Sequence, residues 1–303
     1  MIENLILGPG GIYGCSILGA IKYLHKNNHL KDLKSIMGIS AGSIIGIFMA
    51  LKFSYNDIEK LMLKINMSKI IDYDNNFMDI LDNYGYDDGK KFIRIIKIAI
   101  KSVLGNENAT FKELYEFSNL EFSVVGSNIT NSKETIFNYK TFPDMKIYEA
   151  IIISSSIPLV FKPYKFNGDL YLDGGLNSCS TNYYSNQKKT LRILINDFND
   201  EQKSYNNIFE FLGSLIFYPL RNFRKEVCQG NTIYIKVVNF DNKFADFSLS
   251  DDDKLELVRQ GYKNMEDKFI NFINFVNEKK LVDKSTQTDF DEEINNNDDN
   301  NDD

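Results

Sequence analysis

This 303-residue sequence predicts an α/β fold of three layers, with helices on both faces of a mainly parallel central sheet. Three observations carry that expectation. The chain opens as strand, glycine turn and helix, then repeats the pattern, and such alternation makes the strands parallel with helices crossing over them. Further short apolar strands recur downstream between helical stretches. With 43% hydrophobic and 25% charged residues, the chain also has the material for a sizeable core.

Leu5-Ile6-Leu7 is an apolar run that stops at Gly8-Pro9-Gly10-Gly11, which reads as a buried strand entering a glycine-rich turn. From Ser16 to Leu30, Ile17, Leu18, Ile21 and Leu24 recur at helical spacing. Ser35-Ile36-Met37 is a second short strand, followed by Gly38 to Gly42 and an apolar helix from Ser43 to about Phe53. Ser54 to Leu120 reads as helical with polar interruptions. Glu121 to Ile129 and Glu134 to Tyr139 read as strands that pair through a turn at Asn131-Ser132. Met145 to Ser155 returns to helix, Asp169 to Leu172, Leu191 to Ile195 and Thr232 to Val238 are strands, and Leu255 to Val276 is a closing amphipathic helix.

The net charge of -7 is unevenly spread. Leu281 to Asp303 holds nine acids and one base, so Met1 to Lys280 holds 34 bases against 33 acids. Two segments follow: a body over 1–280, and an acidic Asn/Asp-rich tail over 281–303 whose composition predicts disorder. A neutral body lacks the concentrated basic face that nucleic acid requires, and leaves a peripheral approach to membranes open. Cys15, Cys179 and Cys228 are far apart and without ligand spacing, as expected of free thiols in a reducing compartment. The opening Met-Ile-Glu-Asn lacks a basic leader and no run reaches the ~18 apolar residues of a spanning helix, so a cytoplasmic location is expected.

Gly38-Ile39-Ser40-Ala41-Gly42 is a G-x-S-x-G sequence between a strand and an apolar helix, the setting of a nucleophile elbow. Ser40 would then sit at a helix N-terminus, where the dipole favours developing negative charge. By itself the pattern fits a tight turn with an incidental serine equally well. A serine nucleophile needs a base, and the only histidines, His25 and His29, precede it at the end of the first helix. The Ser, Asp/Glu, His order of α/β-hydrolases is therefore unavailable, which leaves a carboxylate or a lysine. Asp173 ends the strand Asp169-Leu170-Tyr171-Leu172 and is followed by Gly174-Gly175, which let another loop come close; Asp169 opens the same strand at its far end. Backbone amides in the turn Gly8 to Gly14 can converge on an anion. The turn has neither the spacing of a dinucleotide fingerprint nor the lysine of a P-loop.

Together these pieces resemble the patatin-like phospholipase family. The likeness runs through Gly10-Gly11-Ile12-Tyr13-Gly14, Gly38 to Gly42, Ser154-Ser155-Ser156-Ile157-Pro158-Leu159-Val160-Phe161-Lys162-Pro163 and Asp173-Gly174-Gly175, in order and over roughly Met1 to Ile195. It implies a patatin-like fold and a phospholipase A-type lipid acyl hydrolase with a Ser40–Asp173 dyad. It also implies an oxyanion hole at Gly10 and Gly11, motif glycines at Gly14, Gly38, Gly42, Gly174 and Gly175, and no cofactor or metal. The substrate expected is a phospholipid or another lipid ester. The chain departs from the family at Pro9, where a further glycine is usual, and at Tyr13, where a basic residue is usual; Pro9 has no N–H to offer. Two other classes are a neutral-lipid or lysolipid esterase, and a catalytically weak lipid-binding or adaptor protein recruited through its tail.

Asp72-Tyr73-Asp74-Asn75-Asn76 begins like a calcium loop but has Phe77 and Asn83 where glycine and glutamate are needed, so an EF-hand is rejected. Phe209, Phe211, Phe217, Tyr218 and Phe223 form an aromatic stretch that reads as core before it reads as a lipid contact. Lys284-Ser285-Thr286-Gln287-Thr288 resembles the short peptides that dynein light chains add as a strand, a pattern that short disordered segments also match by chance.

Overall fold

The computed structural model describes residues 2–71, 82–176, 189–196, 211, 231–238, 240 and 249–297. Its centre is an eight-stranded sheet in the order β10-β9-β1-β2-β4-β8-β7, with β5 joined to β4. The strands are β1 (Asn4–Leu7), β2 (Ser35–Gly38), β4 (Glu121–Asn128), β5 (Lys133–Phe137), β7 (Tyr164–Phe166), β8 (Asp169–Asp173), β9 (Thr190–Asn196) and β10 (Thr232–Lys236). From β10 to β4 neighbours run parallel; β5 and β8 join β4, and β7 joins β8, antiparallel. A separate two-stranded piece pairs β3 (Gly85–Asp87) with β6 (Leu159–Phe161).

Both opening crossovers form as their patterns predict. The first helix, α1 (Gly14–Lys26), buries Ile17, Leu18, Ile21 and Leu24, and the second, α2 (Ala41–Ala50), is buried almost throughout. The middle segment contains α3 (Tyr55–Lys64), α4 (Met67–Ile70), α5 (Lys90–Leu104) and α6 (Phe111–Ser118). Sequence signals start and stop them: Ser54 caps α3 by accepting from Asp57 N–H, Thr110 and Glu113 form a reciprocal capping box on α6, and Gly105 ends α5 with φ 73°. Strand β3 interrupts this stretch, where periodicity alone predicts only helix and polar breaks. α7 (Ile147–Ser154) follows the β4–β5 hairpin.

The closing helix, α8, spans Asp251–Asn297, with side chains described as far as residue 277. It packs directly on α1. A Cβ at Gly19 would lie 1.9 Å from Val258 O, and one at Gly261 would lie 1.8 Å from Ser16 O, so two glycines let the helix backbones touch. The core, continuous from α1 through the sheet to α8, includes Leu5, Leu7, Phe48, Phe122, Phe137, Ile193 and Phe272. Among the described residues no helix is long and apolar enough to cross a membrane. The calcium-like run at 72–76, Cys179, Cys228, the aromatic stretch apart from Phe211, and the side chains of the tail peptide at 284–288 lie outside what is described.

Candidate active site

Strand register determines where Ser40 and Asp173 meet. Leu7 of β1 stands beside Gly38 at the end of β2, and Gly38 stands beside Val124 of β4. Two residues further along β4, Gly126 pairs with Asp173, the last residue of antiparallel β8. The turns after β1 (8–14) and β2 (39–40) therefore leave the same end of the sheet, and antiparallel β8, which runs in from beyond that end, sets Asp173 level with them. This is the carboxyl end of the parallel strands, where open α/β sheets bind ligands.

The turn at Ser40 is sharp. Ser40 has φ 52° and ψ -124°, a region that non-glycine residues rarely adopt and that costs on the order of 1–3 kcal/mol. Neighbouring glycines make it sterically attainable. A Cβ at Gly38 would sit 2.4 Å from Ser43 Cα, and one at Gly42 would sit 2.2 Å from Leu7 O. The backbone N–H of Ser40 donates to Ser154 Oγ at 2.9 Å, tying the turn to the end of α7.

Ser40 Oγ donates to Asp173 Oδ2 at 2.6 Å. Both side chains are buried, Ser40 at 4% exposure and Asp173 at 2%. The other carboxylate oxygen, Oδ1, accepts the Gly175 N–H at 2.7 Å, which fixes the plane of the group and turns Oδ2 toward the serine. The backbone of Asp173 is held as well: its N–H donates to Ser156 O at 2.9 Å and its carbonyl accepts from Ser127 Oγ at 2.8 Å. Gly174 lies so close to β4 that a Cβ would be 2.2 Å from Val125 O, and a Cβ at Gly175 would be 2.9 Å from Pro9 Cβ. Pro9, the departure from the usual glycine, thus packs on the D-G-G turn. Asp169, at the opposite end of β8, is occupied elsewhere, accepting from Asn128 and Asn131 side chains at 2.8 and 2.7 Å.

The turn after β1 continues as a single 3-10 turn over Gly11–Tyr13 into α1. Gly11 has φ 49° and open space where a Cβ would be, whereas a Cβ at Gly10 would meet Ile195 Cδ1 at 2.5 Å and one at Gly14 would meet Ala41 Cβ at 2.8 Å. Tyr13 places its ring edge-on to Phe240 at 6.1 Å. Neither histidine reaches this place: His25 stacks on Tyr55 and His29 packs against Phe269. His25 faces solvent, as expected near a helix end, and His29 is half-buried.

A pocket opens from Ser40, enclosing about 820 Å³ of empty space with its open mouth included. Ile12, Ile44, Met62, Ile65, Phe92, Ile157, Phe161 and Leu249 make its walls apolar. Cys15 and Lys254 also line it. Burial pushes the Cys15 thiol up to about 11, so it stands there as a neutral group. Lys254 Nζ donates to Leu63 O at 2.6 Å and Ile65 O at 2.9 Å, joining α8 to the end of α3 and closing one wall. Sequence reasoning singles out Ser40, Asp173 and the glycines, and the fold gathers all of them here. It misses Ser127 and the pocket wall. The Ser154–Ser156 run is visible as a motif, but nothing in it says that Ser154 holds the elbow. A hydroxyl on a buried carboxylate, beside a glycine turn and an apolar pocket, is an arrangement suited to acyl transfer. Among the described residues no group of three or more His, Cys, Asp and Glu side chains is placed to hold a metal ion.

The profile of the patatin-like phospholipase family matches residues 5–183, which include both glycine turns, Ser40 and Asp173. The uncharacterized protein R571 of Acanthamoeba polyphaga mimivirus is 29% identical over 292 residues, 90% of this chain and 95% of that protein. The probable lipid hydrolase 463L of Invertebrate iridescent virus 6 is 30% identical over 175 residues, 57% of this chain and 60% of its own length. Among solved structures, VipD from Legionella pneumophila superposes with a TM-score of 0.58 at 16% identity, over 91% of this chain and 67% of VipD. The type III effector protein ExoU gives 0.50 at 14% identity, over 91% of this chain and 53% of ExoU. At those identities the likeness is one of fold, and this chain spans about half of ExoU.

Proposed function

Because the chain belongs to the patatin-like phospholipase family, a family of lipid-ester hydrolases, we propose that it cleaves fatty-acyl esters of phospholipids with Ser40 as nucleophile and Asp173 as base. The observation that carries this reading is the 2.6 Å hydrogen bond from Ser40 Oγ to a carboxylate whose second oxygen is already held by Gly175. A base must lie within hydrogen-bond reach of the proton it takes, and this one does.

In the first half-reaction the Oγ–H proton passes to Asp173 Oδ2 as Oγ bonds to the ester carbonyl carbon. The carbonyl π pair moves to oxygen, and the negative charge is met by the amides of Gly10 and Gly11 and by the N-terminal end of α2. Collapse of this intermediate breaks the bond to the alkoxy oxygen, which leaves with the proton from Asp173. The acyl chain remains on Ser40, lying in the apolar pocket. Water then gives a proton to Asp173 and bonds to the acyl carbon; Ser40 departs, recovers that proton, and a fatty acid is released. No step needs a cofactor.

The activity resides in the body, 1–280, and the acidic segment 281–303 is an appendage to it. The neutral body, 34 bases against 33 acids, fits a cytoplasmic enzyme that visits membrane surfaces without strong electrostatic capture. Fatty-acid release from phosphatidylcholine vesicles, lysophosphatidylcholine and triacylglycerol, by wild type and by Ser40→Ala, tests the proposal. Release from the diacyl phospholipid that disappears in Ser40→Ala is expected. Turnover of lysolipid or triacylglycerol alone would replace the phospholipase reading with an esterase. Equal release by both proteins would remove Ser40 from the chemistry.

A further inference from the structure

Three serines in a row close α7, and the outer two have visible structural tasks. Ser154 Oγ accepts the Ser40 N–H at 2.9 Å. Ser156 Oγ donates back to Ile152 O at 2.7 Å, and its carbonyl accepts the Asp173 N–H at 2.9 Å. One neighbour therefore touches the elbow and the other touches the aspartate turn. Ser155 stands between them. Its side-chain oxygen is buried and has no hydrogen-bond partner among the described residues, and the residue is 7% exposed. It lines the same pocket as Ser40 and Gly11.

A serine near the end of a helix ordinarily satisfies its hydroxyl on a carbonyl one turn back, as Ser156 does. Ser155 makes no such bond: Ile151 O and Ile152 O accept its backbone N–H, and its hydroxyl reaches neither. The hydroxyl thus contributes nothing to the fold, and leaving such a group unpaired in an apolar wall is unfavourable. Of the other polar groups in the wall, Lys254 is held by Leu63 O and Ile65 O, and Ser40 is held by Asp173.

Building on the hydrolase reading above, we propose that Ser155 is a further catalytic residue whose hydroxyl donates a hydrogen bond to an ester oxygen of the bound substrate. Its place one residue from the contacts to Ser40 and to Asp173 puts it at the scissile bond rather than at the far end of the acyl pocket. The bond gains most when that oxygen becomes negative, so it acts on kcat more than on KM.

Three measurements on full-length Ser155→Ala test this: turnover of 4-nitrophenyl butyrate, melting temperature, and labelling of Ser40 by a fluorophosphonate. Expected are a kcat lower by about tenfold to a hundredfold, the worth of one hydrogen bond to a charged oxygen, with KM changed little. The melting temperature should stay level or rise, and Ser40 should still be labelled. Ser155→Thr, which restores the hydroxyl, should recover most of the turnover. Should the alanine variant fail to fold, Ser155→Cys keeps the volume, lacks a strong donor, and should show the same loss. A kcat reduced less than tenfold, or a loss that comes with a falling melting temperature, overturns the proposal. Wild type that turns over no ester removes the hydrolase reading as well, whereas an equally active Ser155→Ala removes this inference alone.

Discussion

Replacing Asp173 by asparagine separates base chemistry from architecture. The substitution leaves an amide oxygen in place of Oδ1, able to accept the Gly175 N–H that now lies 2.7 Å away. The backbone bonds to Ser156 O and from Ser127 Oγ are untouched. The D-G-G turn should therefore keep its shape. What changes is the atom facing Ser40: an NH₂ group that donates, where Oδ2 now accepts the hydroxyl at 2.6 Å. The serine keeps a neighbour but has no group to take its proton. A positioned general base contributes about a hundredfold to ten-thousandfold, so kcat should fall by about that factor, equivalent to about 3–5 kcal/mol of barrier. KM should be nearly unchanged, because substrate contacts are. Initial rates on 4-nitrophenyl butyrate give both constants, with circular dichroism confirming the fold. A kcat within about threefold of wild type, in a folded protein, would refute the assignment of Asp173 and leave Ser40 to find another base.

Other perturbations follow from the same geometry. Gly42→Ala would bring a Cβ to 2.2 Å from Leu7 O, and neither β1 nor α2 can retreat without disturbing the core; overpacking of this kind should cost about 2–3 kcal/mol and lower Tm by about 5–10 °C, and an unchanged Tm in a thermal melt would contradict the contact. Burial raises the Cys15 thiol from 9.0 to about 11, so the folded state holds its proton where the unfolded chain has lost it. The contribution of this group to stability is therefore present below pH 9 and is lost as pH rises toward 11. In the native protein at pH 8, peptide mass spectrometry should find Cys15 alkylated by iodoacetamide far more slowly than in urea; equal rates would contradict its burial. Removing residues 281–303 should leave Tm and ester turnover within experimental scatter of the full chain, since the last buried side chain described on α8 is Val276; a large loss of either would make the tail part of the body.

Much of this site was legible in the sequence because its demands fall on residue types with strong local signatures. An elbow that brings a serine to φ 52° needs glycines around it, and Gly38 and Gly42 announce it. The same holds for Asp173, presented at a strand end ahead of two glycines that β4 and Pro9 crowd. The absence of any histidine after Ser40 is enough to exclude the usual triad. What stayed hidden depends on long-range placement. Met62, Phe92 and Lys254 come from three different helices, and no spacing in the chain says that they share one pocket. Strands β3, β6 and β7 are three residues each, too short for a period to register. The touching of α1 and α8 rests on Gly19 and Gly261, single glycines in helical patterns that would ordinarily count against the helix. Ser154 belongs to a visible motif, yet its role appears only when α7 is seen lying against the elbow.

Tandem mass spectrometry of the protein after reaction with a fluorophosphonate tests the Ser40–Asp173 dyad most directly. One stoichiometric phosphonyl adduct is expected, mapped to Ser40, absent from Ser40→Ala and much slower to form in Asp173→Asn. An adduct on another residue, or equal labelling of Ser40→Ala, would contradict it.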